Sequence, residues 1–361
     1  MHLETAKKEL ISFLGQQKTK EFNAVVMPDF FLDRLLNLDW DVKEFSELIA
    51  DVAKRKGGSI DGIAQSDIRG GNAVNTAAAL ASLGVKVTPI ICTSEYGLQQ
   101  IKYHFRNGKV DVSHVKIYDK ASITTALELK TEYGKVNVML RNLGALKDFG
   151  PDQLTISDYE LIEGADYVCL FNWAGTKNFG TKLAQKVFEK AKARGKGKTY
   201  YDTADPTPNK AGIAELMDKV LKTSQVDILS LNENEAVCYA GLLDRSIVER
   251  KEKLGFAELA LEAARVLAKH LSARIDLHTT SFSATLSANR EVVVPTFKVE
   301  VLRATGAGDA WNAGNVLGDA NGLSDECRLM LANAVSACYL TDADGAHPTR
   351  GKLAQFISNS M

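Results

Sequence analysis

The chain has 361 residues, of which 45% are hydrophobic, and its 44 lysines and arginines nearly balance its 45 aspartates and glutamates to leave a formal charge of −1. This composition suits one large domain with a small appendage, or two domains. The near-neutral charge argues against nucleic acid and anionic membrane as partners, and no apolar run is long enough to span a membrane.

Five cysteines are scattered along the chain without any C-x-x-C pair. This pattern favours reduced thiols over a disulfide framework or a zinc site. The first nine residues carry acids and lysines rather than the apolar core of a signal peptide. We therefore expect a soluble, cytoplasmic protein.

The first predicted elements are a helix, a strand and a second helix. Apolar residues at helical spacing predict amphipathic helices over Leu3–Gly15 and Val42–Lys56. Phe22–Met27 is typical of a buried strand. Asp29 and Asp33 follow it, at the edge where open α/β sheets bind ligands.

A glycine pair and two asparagines come next. Gly70, Gly71, Asn72 and Asn75 lie before or within the start of an alanine-rich stretch, and Ala77–Leu83 predicts a tightly packed helix. On the residues alone, a turn followed by a helix cap is the favoured interpretation.

From Val85 onward, β-rich and helical runs alternate, which indicates a parallel sheet. The predicted strands are Val87–Cys92, Val110–Tyr118, Tyr167–Phe171, Thr199–Asp202, Asp227–Leu231, Arg274–His278, Ser283–Ser287 and Glu291–Pro295. The predicted helices are Glu95–Arg106, Lys177–Arg194, Ala211–Leu221, Asn232–Ala240, Ala257–Leu271 and Asp325–Leu340. Two β-rich runs, Ser122–Lys130 and Lys135–Leu140, interrupt the alternation and predict a hairpin of the kind that forms a flap or lid.

A glycine-rich turn, Thr305-Gly306-Ala307-Gly308-Asp309, precedes a predicted helix over Ala310–Leu317. Its glycines allow the backbone to approach a ligand closely, and the free N–H groups of the helix favour an anion such as phosphate. Its carboxylate would repel phosphate unless a metal intervenes or the carboxylate removes a proton from an attacking group. A plain turn with an ordinary first-turn acid is the alternative.

Three motifs, in this order, resemble those of the ribokinase (PfkB-type) carbohydrate kinase family. They are Gly70-Gly71-Asn72 with Asn75, Asn232-Glu233-Asn234-Glu235, and Thr305-Gly306-Ala307-Gly308-Asp309. The resemblance implies a single α/β domain over residues 1–361, with a mainly parallel central sheet between two helical layers (α/β/α). It also implies a small β lid from about residues 33–69 and 119–142.

The family's activity is transfer of the terminal phosphoryl group of Mg-ATP to a hydroxyl of a sugar or nucleoside. Asp309 then corresponds to the base that accepts the hydroxyl proton, and the N–H groups of Gly306, Ala307 and Gly308 to the anion hole.

On the acceptor side, Asp33 fits the family's hydroxyl-binding acid better than Asp29, which stays open as the second choice. The other residues expected to line the acceptor site are Gly70, Gly71, Asn72, Asn75, Asn142 and Asn172.

On the donor side, the resemblance implies that Asn232 and Glu235 act on Mg²⁺ and phosphate through water. The alternative is that Asn232 caps a helix whose third residue is Glu235. The other residues expected to bind the nucleotide are Thr280, Thr305, Gly306, Gly308, Gly345 and Ala346.

Three features depart from the family pattern. Arg303-Ala304 replaces an acid, which introduces a cation able to bind phosphate of the donor or of a phosphorylated substrate. The segment His278–Ser283 lacks the glycines expected near the nucleotide, which leaves the donor open. Between Asp33 and Arg69 the chain is predicted to be helical where simple members carry lid strands.

The leading hypothesis is an ATP-dependent sugar or nucleoside kinase. The alternatives are an ADP-dependent kinase, and a ribokinase-fold protein that binds a sugar or nucleotide without turnover. Asp309 favours catalysis, because a pure binder has no need of a base there. The resemblance also raises a homodimer formed through the lid as an expectation.

Overall fold

The computed structural model describes residues 2–16, 20–106, 110–132, 134–250, 253–303 and 305–359. Tyr133, between the two runs of the predicted hairpin, and Ala304, beside Arg303, lie outside the described residues.

The strands of the described chain are β1 (Asn23–Met27), β2 (Phe31–Asp41), β3 (Ala64–Gly70), β4 (Lys86–Pro89), β5 (Cys92–Thr93), β6 (Lys116–Ile117), β7 (Ser122–Thr131), β8 (Gly134–Asn142), β9 (Tyr167–Phe171), β10 (Lys198–Asp202), β11 (Ile228–Leu231), β12 (Arg274–His278), β13 (Phe282–Ser287) and β14 (Arg290–Pro295). The helices are α1 (His2–Gly15), α2 (Val42–Lys54), α3 (Asn72–Ser82), α4 (Glu95–His104), α5 (Ile156–Gly164), α6 (Gly180–Lys192), α7 (Ile213–Leu216), α8 (Glu233–Leu243), α9 (Ser246–Glu249), α10 (Phe256–His270), α11 (Ala307–Ala320), α12 (Asp325–Leu340) and α13 (Arg350–Asn359).

The main sheet orders its strands β14-β13-β12-β11-β10-β9-β1-β4. The strands from β12 to β4 run parallel, and β13 and β14 add an antiparallel edge. One apolar core lies against α5, α6, α8 and α10, and the other against α1, α3, α11, α12 and α13. Because both faces are covered, β9 and β11 are buried along their whole length. The predicted α/β/α layering is confirmed.

A second sheet, ordered β3-β2-β7-β8, forms the lid. β2 pairs antiparallel with β3 and parallel with β7, and β7 pairs with β8 in the predicted hairpin. The structure corrects the expectation for the segment between Asp33 and Arg69, because lid strands flank the helix α2 there instead of being replaced by it. β3 is a mostly exposed edge strand, so its sequence lacks the apolar alternation that marks a half-buried strand.

The strand prediction over Val110–Tyr118 is wrong for most of its length. Only Lys116–Ile117 forms a strand, paired with β5, and Val110 makes an isolated bridge. Val112 and Val115 pack against the core from non-strand backbone, which explains the apolar pattern that favoured a strand. Within the described residues no helix combines the length and the apolar character needed to cross a membrane. The cysteines are free thiols.

Candidate active site

The N-terminus of α11 forms the centre of the candidate site. Gly306 caps this helix with φ of +94°, a left-handed conformation that glycine adopts readily. A Cβ atom at this position would also lie 2.5 Å from the hydroxyl oxygen of Tyr339. The free N–H groups of the first helical turn and the helix dipole favour a negatively charged group here.

Asp309 lies in the first turn of α11 and is buried. Its Oδ1 accepts a hydrogen bond of 2.8 Å from the amide of Asn72, and its Oδ2 one of 2.9 Å from the amide of Asn75. Burial raises the pKa of the Asp309 carboxyl well above its ordinary value, and the two amide hydrogen bonds oppose that rise. A carboxylate with a raised pKa that is held from two sides is suited to accept a proton near neutral pH.

Asp29 holds the start of α3. The N-cap residue of that helix is Gly71, which has no capping side chain, and Asp29 supplies the missing acceptor. Its carboxylate accepts from the backbone N–H groups of Asn72 and Ala73 at 3.0 and 2.9 Å, and from the amide of Asn172 at 2.8 Å. Asp29 is fully buried, so its oxygens are occupied by groups of the protein itself.

Asp33 has an unused acceptor. Its Oδ1 is a buried atom without a hydrogen-bond partner among the described residues. Burial raises the pKa of Asp33 to about 6, against the lowering effect of a hydrogen bond with Thr124. Gly70 leaves room for this carboxylate, because a Cβ atom there would lie 2.0 Å from Asp33 Oδ2. Of the two candidate acids, Asp33 is therefore the one with a free oxygen for a ligand hydroxyl.

The remaining predicted acceptor-side asparagines lie at or just after strand ends. Asn172 has φ of +52° and is buried, and besides binding Asp29 it accepts from the backbone N–H of Gly175 at 3.0 Å. Asn142 ends β8 and is exposed, and its side-chain oxygen accepts from the N–H of Gly144 at 3.0 Å. Asn172 thus orients Asp29, and Asn142 stabilises the turn that follows the lid hairpin.

A cavity of about 490 Å³ borders the N-terminus of α11. Two residues of the predicted anion hole, Ala307 and Gly308, line it together with Thr280, Lys298 and Trp311. The acceptor-side residues around Asp33 and Asp309 are absent from its described lining. Its volume lies in the range of small-ligand pockets, so the cavity is a candidate donor site.

Besides Asn232 and Gly306, three residues predicted to bind the nucleotide, Thr305, Gly345 and Ala346, are not among the described residues that line the 490 Å³ cavity. The carbonyl of Thr305 accepts a hydrogen bond of 2.8 Å from the hydroxyl of Tyr339. Gly345 packs against Arg303, since a Cβ atom there would lie 2.6 Å from Arg303 Nη1. Ala346 borders a separate pocket.

Asn232 and Glu235 bind each other at the start of α8. The Asn232 side-chain oxygen accepts from the Glu235 N–H at 3.0 Å, and Glu235 Oε2 accepts from the Asn232 N–H at 2.9 Å. The Asn232 amide also donates to Glu235 Oε1 at 2.8 Å. These contacts form the capping box that the sequence analysis gave as the alternative to a metal role.

The surroundings of Glu235 are acidic. Burial raises its pKa well above the ordinary value, and the charges of Asp202, Asp205 and Glu233 add to the rise. Glu233 accepts a hydrogen bond of 2.9 Å from the N–H of Thr280, and both line the donor cavity. In the described part of the chain, no group of three or more His, Cys, Asp or Glu residues is placed to hold a metal directly. The oxygen-rich surroundings fit a hydrated Mg²⁺, held through water.

Comparison with known proteins identifies the family. The model of the pfkB family of carbohydrate kinases matches residues 42–350. The chain belongs to the pfkB family. It is also similar to the ribokinase of Bacillus subtilis (strain 168), with 36% identity over 75 residues, which are 20% of this chain and 25% of that protein. The match therefore spans only a quarter of the curated relative's length.

Solved structures of kinases share the fold of this pfkB-family chain. A ribokinase from Arabidopsis thaliana, complexed with ribose and ATP, has a TM-score of 0.69 at 17% identity, covering 94% of this chain and 99% of that one. A nucleoside kinase from Methanocaldococcus jannaschii has a TM-score of 0.67 at 16% identity, covering 95% of this chain and 100% of that one. An adenosine kinase from Sinorhizobium meliloti has a TM-score of 0.67 at 17% identity, with coverages of 95% and 100%. At these identities the likeness establishes the ribokinase fold.

Besides Arg303, the site of this pfkB-family chain contains three residues that the sequence did not indicate, namely Arg69, Tyr339 and His347. Arg69 donates from Nε to the side-chain oxygen of Asn75 at 3.0 Å, and its Nη2 lies 3.1 Å from Nε2 of His347. The His347 ring stacks on Tyr339 with centroids 4.8 Å apart, and the Arg303 guanidinium lies 5.9 Å from the Tyr339 centroid. These residues come from three distant segments, so no local motif could have grouped them.

Proposed function

We propose that this chain is a kinase that transfers the terminal phosphoryl group of Mg-ATP to a hydroxyl of a sugar or nucleoside. The observation that carries the proposal is the environment of Asp309, a buried carboxylate whose two oxygens are held by Asn72 and Asn75 at the N-terminus of α11. A cavity of nucleotide size borders the same helix end. Family membership supports a kinase, and this geometry supports the choice of base.

In the proposed reaction, the acceptor hydroxyl oxygen attacks the terminal phosphorus of ATP while Asp309 takes the hydroxyl proton. The bond between that phosphorus and the bridging oxygen breaks, and ADP leaves. The N–H groups of Gly306, Ala307 and Gly308 bind the oxygens of the transferring group. This chemistry depends on positioning and on neutralisation of charge more than on covalent participation of the protein.

The proposed acceptor contacts centre on Asp33, whose unpartnered oxygen accepts a hydrogen bond from a hydroxyl. Gly70 leaves room for the Asp33 carboxylate, and Gly71 for the backbone of Asp29 and Phe30. Asp29 and Asn172 support the acceptor site without contacting the acceptor, and Asn142 lies at the end of the lid strand β8.

Magnesium is the implied metal, and Mg²⁺ would neutralise charge on the phosphate oxygens when bound. We propose that Asn232 and Glu235 hold its water ligands, with Glu233 lending negative charge beside the donor cavity. Thr280 and Lys298 line that cavity and are placed to contact the nucleotide.

We further propose that the chain acts as one catalytic domain with its lid. The free cysteines suit the cytoplasm as its compartment. A homodimer through the lid stays a prediction.

The decisive experiment measures phosphorylation of a panel of sugars, sugar phosphates and nucleosides with ATP and, separately, with ADP as donor. Asp309→Asn should lower kcat by about 10²- to 10⁴-fold, the usual contribution of a general base. Asp218→Asn, at an exposed surface salt bridge, is the matched control and should be as active as wild type. Turnover that survives Asp309→Asn would refute the mechanism. If no compound is phosphorylated but some raise the melting temperature, the chain is a binder rather than a kinase.

A further inference from the structure

Arg69, Arg303 and His347 form a basic cluster beside Asp309. The described hydrogen-bond partners of Arg69 are an amide oxygen of Asn75 and a ring nitrogen of His347, neither of which is negatively charged. Arg303 packs against Tyr339 and Gly345, and its Nε is a buried atom with no hydrogen-bond partner among the described residues. The positive charge of this cluster thus has no carboxylate bound to it in the described part of the chain.

The chemistry of the Arg69 contact fixes the state of His347. A guanidinium can only donate, so Arg69 Nη2 donates to His347 Nε2, and the ring hydrogen of the neutral imidazole is on Nδ1. Burial, together with the charges of Arg69 and Arg303, lowers the pKa of His347 well below its ordinary value, so the ring is neutral. Nδ1 is also buried without a partner. The cluster therefore holds two buried N–H donors that lack acceptors, a costly arrangement unless a ligand supplies them.

The cluster lies on the acceptor side of Asp309. Arg69 belongs to the lid strand β3 and donates to Asn75, which in turn donates to Asp309. Arg303 lies over the ring of Tyr339, on which His347, the partner of Arg69, also stacks. Neither arginine is among the described residues that line the donor cavity.

A third arginine faces the same region from the lid. Thr124 pairs with Asp33 across β2 and β7, and with Arg141 across β7 and β8. Because residues opposite each other in adjacent strands point to the same face of a sheet, Arg141 lies on the Asp33 side of the lid. Its guanidinium lies over the Phe31 ring at 4.9 Å. Arg141 therefore adds positive charge to the face of the lid that carries Asp33.

We propose that the acceptor of this chain already carries a phosphate monoester, which Arg69 and Arg303 bind while a hydroxyl of the same molecule faces Asp309. The proposal rests on the proposed function and names its substrate class. A phosphate monoester carries a charge between about −1.5 and −2 at neutral pH, which matches two guanidinium groups, whereas a carboxylate matches one. One guanidinium group can bind a phosphate through two parallel N–H···O hydrogen bonds. The product would be a bisphosphate, formed together with ADP.

The test measures binding without turnover. In the Asp309→Asn background, calorimetry compares sugar monophosphates with the same sugars lacking phosphate, with sugar acids and with inorganic phosphate. We expect at least one monophosphate to bind about 10- to 100-fold more tightly than its neutral counterpart, the effect of one or two charge-assisted contacts. Arg303→Gln should reduce that difference by about tenfold, because it removes one of the two guanidinium groups. Arg34→Gln should keep it, because Arg34 is a lid arginine already paired with Asp67.

Equal binding of neutral and phosphorylated sugars, or a preference for sugar acids over monophosphates, would overturn the proposal. A steady-state comparison in the Asp309-containing enzyme adds a second criterion. Arg303→Gln should raise the KM for the acceptor and leave the KM for ATP unchanged, and the reverse result would place Arg303 on the donor phosphates instead. A third outcome separates the two proposals. If a neutral sugar is phosphorylated in a reaction that needs Asp309 but is unaffected by Arg303→Gln, the kinase function is supported and the phosphorylated acceptor is refuted.

Discussion

The amide nitrogen of Asn75 lies 2.9 Å from Oδ2 of Asp309 and donates to it, joining α3 to α11. The orientation of this amide is fixed from its other side, because its oxygen accepts from Arg69 at 3.0 Å. A hydrogen bond donated to a carboxylate favours the ionised form, whereas burial of Asp309 favours the neutral form. Asn75 and Asn72 together therefore tune the pH at which Asp309 can act as a base.

Replacing Asn75 by alanine should move the acid limb of the kcat–pH profile to higher pH. The substitution removes a contact that lowers the pKa of Asp309, so a smaller fraction of the carboxyl is ionised at any given pH and turnover at neutral pH falls. Asn178→Ala, at an exposed asparagine far along the chain, should leave the profile unchanged. An acid limb that stays in place or moves to lower pH would contradict this role for Asn75.

Acceptor affinity should fall as the pH drops through about 6, because burial raises the pKa of Asp33 to about 6 and a protonated carboxyl loses its strong acceptor. If only the ionised form binds, each further pH unit costs about tenfold in affinity. Calorimetric titrations in the Asp309→Asn background, with and without Asp33→Asn, measure the effect. Any ionisation of the acceptor itself is common to both proteins, so the difference between the two profiles isolates Asp33. Parallel profiles would exclude Asp33 from acceptor binding.

Gly306→Ala should lower both stability and kcat. The residue adopts φ of +94°, and a Cβ atom would lie 2.5 Å from the Tyr339 hydroxyl oxygen, so we expect a loss of about 1–3 kcal/mol in the free energy of unfolding. The matched control is Gly322→Ala, which has φ of +68° but no atom within 4 Å of the added carbon. Urea unfolding and kcat are measured for both variants. If Gly306→Ala lowers the free energy of unfolding no more than the control does, the Tyr339 side chain moves aside without disturbing the N-terminus of α11.

Arg328→Met should destabilise the fold without changing the KM of either substrate. Arg328 is buried and lies 3.0 Å from the fully buried Asp276, and removing one partner of a buried pair costs about 3–5 kcal/mol. Arg34→Met breaks a pair with Asp67 in which both side chains are more than half exposed, and it should cost much less, because solvent screens an exposed pair. The comparison is made by chemical denaturation. Similar losses for the two variants would show that Arg274, the second partner of Asp276, compensates for the missing charge.

The main sheet could be predicted because each strand carries its own signal. The strands Tyr167–Phe171 and Arg274–His278 are found over the residues predicted for them. The lid strands β2 and β3 could not be predicted in the same way. β3 is mostly exposed and has few apolar residues. β2 has more of them, but its partner β7 lies far along the chain.

At the site, the glycine turn and the carboxylate after it could be predicted from local sequence, whereas the contacts could not. Asn72 lies 237 positions from Asp309, and only the packing of α3 against α11 brings them together. The residues alone could not separate Asp29 from Asp33, since both follow β1, and only the family resemblance favoured Asp33. What distinguishes them is burial and partners, because Asp29 has three hydrogen-bond donors and Asp33 has an oxygen with none.

The remote capping of α3 by Asp29 affects how a mutational scan of this chain is to be interpreted. Asp29 fixes the first residues of the helix that presents Asn72 and Asn75 to the base. A variant that loses this carboxylate displaces both amides, so it becomes inactive although Asp29 need not touch the substrate. We expect variants at position 29 to be inactive but to keep their affinity for the acceptor. Variants at position 33 should lose both activity and affinity, which would identify Asp29 as a structural residue and Asp33 as a ligand-binding one.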